Sequence, residues 1–68
     1  MAEILFLVEE APEGGFTARA LGHSIYTEAD TWDDLKVAIQ DALACHFDPD
    51  QRPRVVRLHY LREEVIAG

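Results

Sequence analysis

Residues 3–9 read Glu-Ile-Leu-Phe-Leu-Val-Glu, and this short apolar run between two acids decides the fold. Its length is typical of a β-strand rather than a helix. Successive side chains of a strand point to opposite faces, so the even-numbered residues 4–8 face one way while Leu5 and Leu7 face the other. Because both faces are apolar, we predict a strand that lies inside a sheet and is covered on both sides.

Two more strands are predicted after this one, separated by glycine turns. Residues 10–15 (Glu-Ala-Pro-Glu-Gly-Gly) have the composition of a hairpin loop, and residues 16–20 (Phe-Thr-Ala-Arg-Ala) alternate as a strand does. Residues 21–23 (Leu-Gly-His) predict a tight turn before a third strand at 24–28 (Ser-Ile-Tyr-Thr-Glu). The expected turn residues are Gly14, Gly15 and Gly22.

The spacing of apolar residues becomes helical after residue 30. Thr31 is placed to cap the helix, and Asp34 stands where a capping box has its acidic residue. The residues that follow at helical spacing are Leu35, Ala38, Ile39, Ala42, Leu43 and His46. Pro49 ends the helix, since the residue before a proline is disfavoured in helical conformation. Residues 53–60 then alternate as a fourth strand, while residues 62–68 fit either a helical turn or a strand extension.

The order β-β-β-α-β predicts a two-layer α+β fold, with residues 1–68 forming a single domain. A right-handed crossover through the helix places the fourth strand parallel to the first. We therefore expect a four-stranded sheet in the order 3-2-1-4 with one helix on one face. A helix is about 10 Å wide, whereas four strands span roughly 15–19 Å. One helix therefore leaves the opposite face of the sheet without cover.

The face without a helix is predicted to be an interaction surface. Leu5 and Leu7 meet water there unless a second chain covers them, and exposed apolar patches of this kind usually mark interfaces. Chains of this size also rarely gain more than about 3–5 kcal/mol from a single core. We expect a homodimer or a higher homo-oligomer formed through this face. The candidate contacts are Leu5, Leu7, Phe16, Tyr26 and Arg57.

Composition excludes several classes of protein. The chain has 68 residues and a formal net charge of -7, with 13 acidic and 6 basic side chains. This length excludes a large cofactor-binding enzyme, and a single cysteine excludes an internal disulfide. The longest apolar run is far shorter than the ~20 residues of a membrane span. No signal segment precedes it, so we expect a cytoplasmic protein without membrane contact. The acidic charge argues against direct DNA binding, and the use of arginine over lysine weakly indicates a thermophilic source.

Charge is distributed unevenly along the chain. Residues 1–51 carry 11 acidic and 2 basic side chains, whereas residues 52–68 carry 4 arginines and 2 glutamates. Arginines on and around the fourth strand suit an acidic partner or RNA. They are also typical of an edge strand that charge protects from aggregation. Both interpretations stay open.

No spacing typical of a catalytic or cofactor site is present in the sequence. The residues that could bind a soft metal are His23, Cys45, His46 and His59. They form no C-x-x-C or H-x-x-x-H pattern. A cluster formed by Asp30, Asp33 and Asp34 lies at the helix start, where capping and the helix dipole account for it. We therefore predict no catalytic residues, no bound cofactor and no metal.

Two segments resemble the HicB-type antitoxin domain. Residues 13–22 (Glu-Gly-Gly-Phe-Thr-Ala-Arg-Ala-Leu-Gly) and residues 26–35 (Tyr-Thr-Glu-Ala-Asp-Thr-Trp-Asp-Asp-Leu) contain the motifs in question. These motifs are a Gly-Gly-aromatic hairpin, a glycine turn and a Thr-x-x-x-Thr sequence before an acidic helix start. The matching residues are Gly14, Gly15, Phe16, Gly22, Thr27 and Thr31. The resemblance covers about residues 3–47 and implies a partial RNase H-like fold. In one departure, Leu21 stands where that family usually has proline.

The resemblance implies a non-enzymatic, protein-binding module. Its role would be that of the antitoxin in a type II toxin-antitoxin pair, neutralising a HicA-type RNA-cleaving toxin. Complete HicB antitoxins carry a C-terminal DNA-binding domain for which this sequence has no room, so autoregulation through DNA is not expected. Two alternatives remain. One is a small metal-dependent nuclease that uses Asp30, Asp34 and a strand carboxylate, and the other is a scaffold subunit of a larger assembly.

Overall fold

The computed structural model of the chain describes residues 2–62 and 64–68. Its elements in chain order are β1 (Glu3–Glu10), β2 (Phe16–Ala20), β3 (Tyr26–Ala29), α1 (Trp32–His46) and β4 (Val55–Leu61). The strands form one sheet in the order β3-β2-β1-β4. β1 pairs antiparallel with β2 and parallel with β4, and β2 pairs antiparallel with β3. The predicted α+β fold and strand order are confirmed.

The hairpin between β1 and β2 depends on its two glycines. The amide of Ala11 donates to the carbonyl of Gly15, and the amide of Gly14 donates to the carbonyl of Ala11, both at 3.0 Å. Gly14 and Gly15 have φ values of 103° and 82°, which side-chain-bearing residues rarely adopt. Gly15 also packs closely, since a Cβ there would lie 2.7 Å from the carbonyl oxygen of Ala29. The hairpin tip therefore fits against the end of β3 only when residue 15 has no side chain.

Both ends of α1 form as the sequence predicts. Thr31 has extended backbone angles, and its hydroxyl accepts a hydrogen bond from the amide of Asp34 at 3.1 Å. Asp33 and Asp34 lie in the first turn, where the positive end of the helix dipole favours acidic groups. At the other end, the amide of Phe47 donates to a carbonyl of the last turn, and Phe47 itself is already extended.

The core lies between α1 and one face of the sheet. Its fully or nearly fully buried members are Ile4, Phe6, Val8, Ala18, Ala20, Ile25, Leu35, Ile39 and Leu43. The helix backbone lies nearest to β3 and β2. Half-buried residues of β4, among them Val56 and Leu58, pack against the edge of this core. Three aromatic rings, those of Phe16, Trp32 and Tyr60, meet edge to face or tilted at the start of α1 with centroids 5.4–5.9 Å apart.

The strand boundaries differ from prediction by one or two residues. β3 begins at Tyr26 rather than Ser24, and β4 spans Val55–Leu61 rather than residues 53–60. Pro53 cannot donate a backbone hydrogen bond, so pairing with β1 begins after it. Arg62 and residues 64–68 form neither the helical turn nor the longer strand that the sequence left open. Among the residues described, no helix has the length and apolar character needed to cross a bilayer.

Candidate protein-binding surface

One face of the sheet has no helix, and we call it the helix-free face. It is formed by alternate residues of the four strands, as the pairing register defines. Its central members are Leu5, Leu7, Arg19, Tyr26, Arg57 and His59. The alternation predicted for β1 and β4 is therefore correct, because Ile4, Phe6 and Val8 are buried on the other face.

Leu5 and Leu7 lie at the centre of the helix-free face. Leu7 has Arg19 as its partner on β2 and His59 as its partner on β4, and Leu5 has Arg57 as its partner on β4. Both leucines are half-buried in the single chain. Long basic side chains commonly cover apolar neighbours with their stems while the charge stays in water, and this accounts for the buried part of each leucine. The rest of each leucine side chain stays exposed between its polar neighbours.

Acidic groups surround this centre. Arg57 forms an ion pair with Glu3, the first residue of β1. Both partners are substantially exposed, so this pair adds little to stability. Tyr26 is 62% exposed beside Arg19, and its hydroxyl donates to the carboxylate of Glu28 at 3.4 Å. The face thus combines an apolar centre, an exposed aromatic ring and charges of both signs, which is a composition typical of protein-binding surfaces.

Phe16 does not belong to this surface, although the sequence analysis placed it among the candidate contacts. It pairs with Glu10 on β1 and so shares the parity of the buried Val8 on the helix side of the sheet. There its ring lies 5.5 Å from that of Trp32 and contributes to the aromatic group that closes the core. Its physical role in the fold is packing, and the four other candidates lie on the helix-free face.

Sequence reasoning did not identify Arg19 as a site residue or the contact between Tyr60 and Glu10. Arg19 could have been found, because residues 16–20 alternate and put it opposite to Phe16. Tyr60 and Glu10 are distant in sequence and meet only through the parallel pairing of β1 with β4. The Tyr60 hydroxyl donates to the Glu10 carboxylate. This hydrogen bond, assisted by partial desolvation and the negative charge of Glu10, raises the pKa of Tyr60 above its usual value of 10.0, although Arg62 acts in the opposite direction.

Of the residues with possible chemical roles, the structure brings the rings of His23 and His46 into contact. Asp33 pairs with Lys36 at 3.3 Å on the exposed helix surface, and the amide of Asp34 serves the helix cap. Cys45 is exposed, and the ring of His46 lies edge to face 6.0 Å from that of His23. Across residues 2–62 and 64–68, no three His, Cys, Asp or Glu side chains are arranged to hold a metal ion.

This fold and surface define a small α+β protein class: one helix packs on one face of a four-stranded sheet, and the opposite face presents leucines between arginines. The chain belongs to the UPF0150 family. It is 50% identical over 52 residues to a UPF0150 protein of Archaeoglobus fulgidus, covering 76% of this chain and 77% of that protein. It is 37% identical over 65 residues to a UPF0150 protein of Thermotoga maritima, covering 96% of this chain and 91% of that protein. Both relatives come from thermophiles. No family model matches the chain, and no solved structure matches it.

Proposed function

We propose that the protein is a non-enzymatic, cytoplasmic protein-binding module and that the helix-free face is its partner surface. The observation that carries this proposal is the half-buried pair Leu5 and Leu7, which retain exposed apolar area at the centre of a sheet face. Apolar centres with polar surroundings are where binding energy concentrates in protein interfaces. Arg19, which pairs with Leu7, and Tyr26, which pairs with Arg19, are of the residue types enriched in such interfaces.

The net charge indicates which kind of partner the surface favours. A chain with a net charge of -7 attracts basic proteins and repels other acidic ones, so long-range electrostatics speeds the approach of a basic partner. Arg57, the basic residue nearest Leu5, is already neutralised by Glu3. At this point of the face, the Arg57–Glu3 pair therefore presents no net positive charge to a basic protein.

The resemblance to HicB-type domains specifies the proposed partner further. On that basis the protein is the antitoxin of a type II toxin-antitoxin pair, and its partner is a HicA-type RNA-cleaving toxin. A short basic protein encoded in the neighbouring reading frame is the expected toxin. The turn and cap residues that support the resemblance, such as Gly15 and Thr31, have the structural roles that the motif requires.

The proposal is tested by co-expressing the chain with the protein encoded beside it. We expect the wild-type chain to restore growth, to co-purify with the toxin and to stop its RNA cleavage in vitro. Leu7→Asp places a charge at the centre of the face and should weaken binding by at least about a hundredfold, as for a central interface residue. Val37→Asp is the matched control, since Val37 is 56% exposed on α1. Equal binding by the two variants, or no binding by the wild type, contradicts the proposal.

The nuclease alternative is separated from this function by a direct assay. Asp30 and Asp34, two of its candidate carboxylates, lie next to or within the first turn of α1, where the backbone amide of Asp34 serves the cap and the neighbouring Asp33 pairs with Lys36. Purified protein incubated with RNA and Mg²⁺ or Mn²⁺ should leave the RNA intact. Cleavage that Asp34→Asn abolishes would favour the nuclease. Isolation of a large stable assembly from the native cell would instead favour the scaffold role.

A further inference from the structure

The outer edge of β4 carries backbone groups that the sheet does not use. The amide of Val55 donates to the carbonyl of Ala2 on the β1 side at 3.0 Å. Amide and carbonyl directions alternate along a strand, so the other odd-numbered residues of β4 also point their backbone groups toward β1. Val56, Leu58 and Tyr60 therefore point theirs away from the sheet. Such an edge is a template for pairing with another strand.

The sequence of β4 is symmetric in polarity about its central residue. It reads Val-Val-Arg-Leu-His-Tyr-Leu, with Leu58 in the middle. A polar residue stands on each side of Leu58, and two apolar residues stand at each end of the strand. An antiparallel pairing of two copies, with a two-fold axis at Leu58, sets Leu58 opposite itself and Val56 opposite Tyr60. The same register sets Val55 opposite Leu61, so every apolar residue of the strand meets an apolar residue.

This register is also the one that satisfies the outward backbone groups. The residues that point outward (Val56, Leu58 and Tyr60) all fall at hydrogen-bonded positions of the antiparallel ladder. A shift by two residues in one direction sets Arg57 opposite itself and brings like charges together, which is unfavourable. A shift in the other direction sets Arg57 opposite Leu61. Hydrogen bonding and side-chain matching therefore select the same alignment.

Apolar side chains of β4 are exposed in the single chain. Val55 is 47% exposed, Tyr60 41% and Leu61 51%. Leu58 is half-buried at the edge of the core. The opposite edge of the sheet, β3, has only four residues and carries a glutamate. The longer and more apolar edge is therefore the one suited to pairing.

We propose that two copies of the chain pair antiparallel through β4, about a two-fold axis at Leu58, and form one continuous sheet. This assigns self-association to the edge of the sheet. From the sequence alone, self-association was expected through the helix-free face. Stacking two helix-free faces would remove two copies of Arg19 and of the Arg57–Glu3 pair from water, twice the number that a single different partner covers, which is costly. Edge pairing leaves these groups solvated and both faces open to other partners, so the proposal does not depend on the antitoxin role.

Solution mass provides the first test. The purified wild-type chain should have about twice its 7.7 kDa monomer mass by light scattering at micromolar concentration. Val55→Lys puts a charge opposite Leu61 at both ends of the paired strands and should weaken the dimer by at least roughly tenfold. Val37→Lys makes the same change at a similarly exposed valine on α1 and should leave the mass unchanged.

Disulfide trapping tests the register independently of that variant. In a Cys45→Ser background, equal amounts of Arg57→Cys and His59→Cys chains are mixed and oxidised with oxidised glutathione. In the proposed register these two positions lie directly opposite each other, at about 4.5 Å between Cα atoms. A disulfide should therefore form between an Arg57→Cys chain and a His59→Cys chain. Either variant alone should remain uncrosslinked. The two copies of residue 57, or of residue 59, are diagonal neighbours across the paired strands, and their Cα atoms lie beyond the limit of about 7 Å for a disulfide.

Three results would overturn the proposal. The first is a wild-type chain that stays monomeric at roughly a hundred times the concentration of the mass measurement. The second is a dimer that Val55→Lys leaves intact. Because Val55 also lies on the helix-free face, loss of the dimer in this variant is assigned to the strand edge by the crosslinking result. The third is crosslinking of single variants as efficient as crosslinking of the mixture, because that result excludes the register. If Val55→Lys fails to fold by circular dichroism, the trapping experiment, which keeps Val55, decides the matter.

Discussion

Replacing Gly15 by alanine tests the hairpin on which the fold and the family motif both depend. Gly14→Ala is its matched control, because both residues have positive φ but only Gly15 has a close neighbour. An alanine held in a left-handed conformation costs about 1–2 kcal/mol, and both variants incur this. At position 14 nothing lies within 4 Å of the new Cβ, so no further cost arises.

The Gly15 variant has a second cost. Its Cβ would lie 2.7 Å from the carbonyl oxygen of Ala29 and 3.3 Å from the Cα of Asp30, both of them backbone atoms. Moving the hairpin tip away from the end of β3 adds roughly 1–3 kcal/mol, as in other overpacked sites. The total of about 2–5 kcal/mol is comparable to the 3–5 kcal/mol that the core of a domain of this size rarely exceeds.

Thermal and urea unfolding, followed by circular dichroism at one fixed protein concentration, measures both costs. Gly14→Ala should lower Tm by roughly 4–16 °C, since 1 kcal/mol corresponds to about 4–8 °C in a chain of this length. Gly15→Ala should be largely unfolded at 25 °C or melt well below the control. Equal stability of the two variants would refute the close approach of Gly15 to Ala29. A fixed concentration matters because self-association would make Tm depend on it.

The remaining predictions concern the helix cap and the tyrosine contact. Thr31→Ala removes the acceptor for the Asp34 amide and should lower the free energy of unfolding, measured in urea, by about 1 kcal/mol. Thr31→Ser should retain most of the stability, and equal losses in the two variants would contradict the cap. In a Tyr26→Phe background, the phenolate absorbance of Tyr60 should titrate above pH 10.0, and Glu10→Gln should lower that midpoint; an unchanged midpoint would contradict the contact. Because the folded-state pKa of Tyr60 is raised, its contribution to stability is complete below the unfolded value and is lost as pH rises through the folded value.

Local sequence signals predicted most of the fold correctly. The division of β1 into two faces follows from the two-residue period of any strand, and the start of α1 follows from the position of Thr31 three residues before Asp34. The strand order required only the handedness of one crossover connection. Each of these signals acts over a few residues or through a general rule of chain geometry, so the sequence alone contains it.

The face occupied by Phe16 could not be read with the same certainty. Its alternation with Thr17 is clear, but the face it occupies depends on how the hairpin aligns β2 with β1. The contact between Tyr60 and Glu10 could not be predicted for a related reason. It depends on the register between β1 and β4, two parallel strands from opposite ends of the chain. The candidate surface was thus predictable where it depended on one strand and unpredictable where it depended on pairing.

The parallel pairing of β1 with β4 has a consequence for how the chain reaches its native state. Glu3 pairs with Val55, so the most apolar strand cannot complete its ladder until almost the whole chain has been synthesised. The hairpins and α1 form from nearby residues, whereas closing this long loop is slow. During translation, one side of β1 therefore remains unpaired and able to capture a strand from another nascent chain. Folding yield, more than the final stability, is where this topology makes the protein vulnerable.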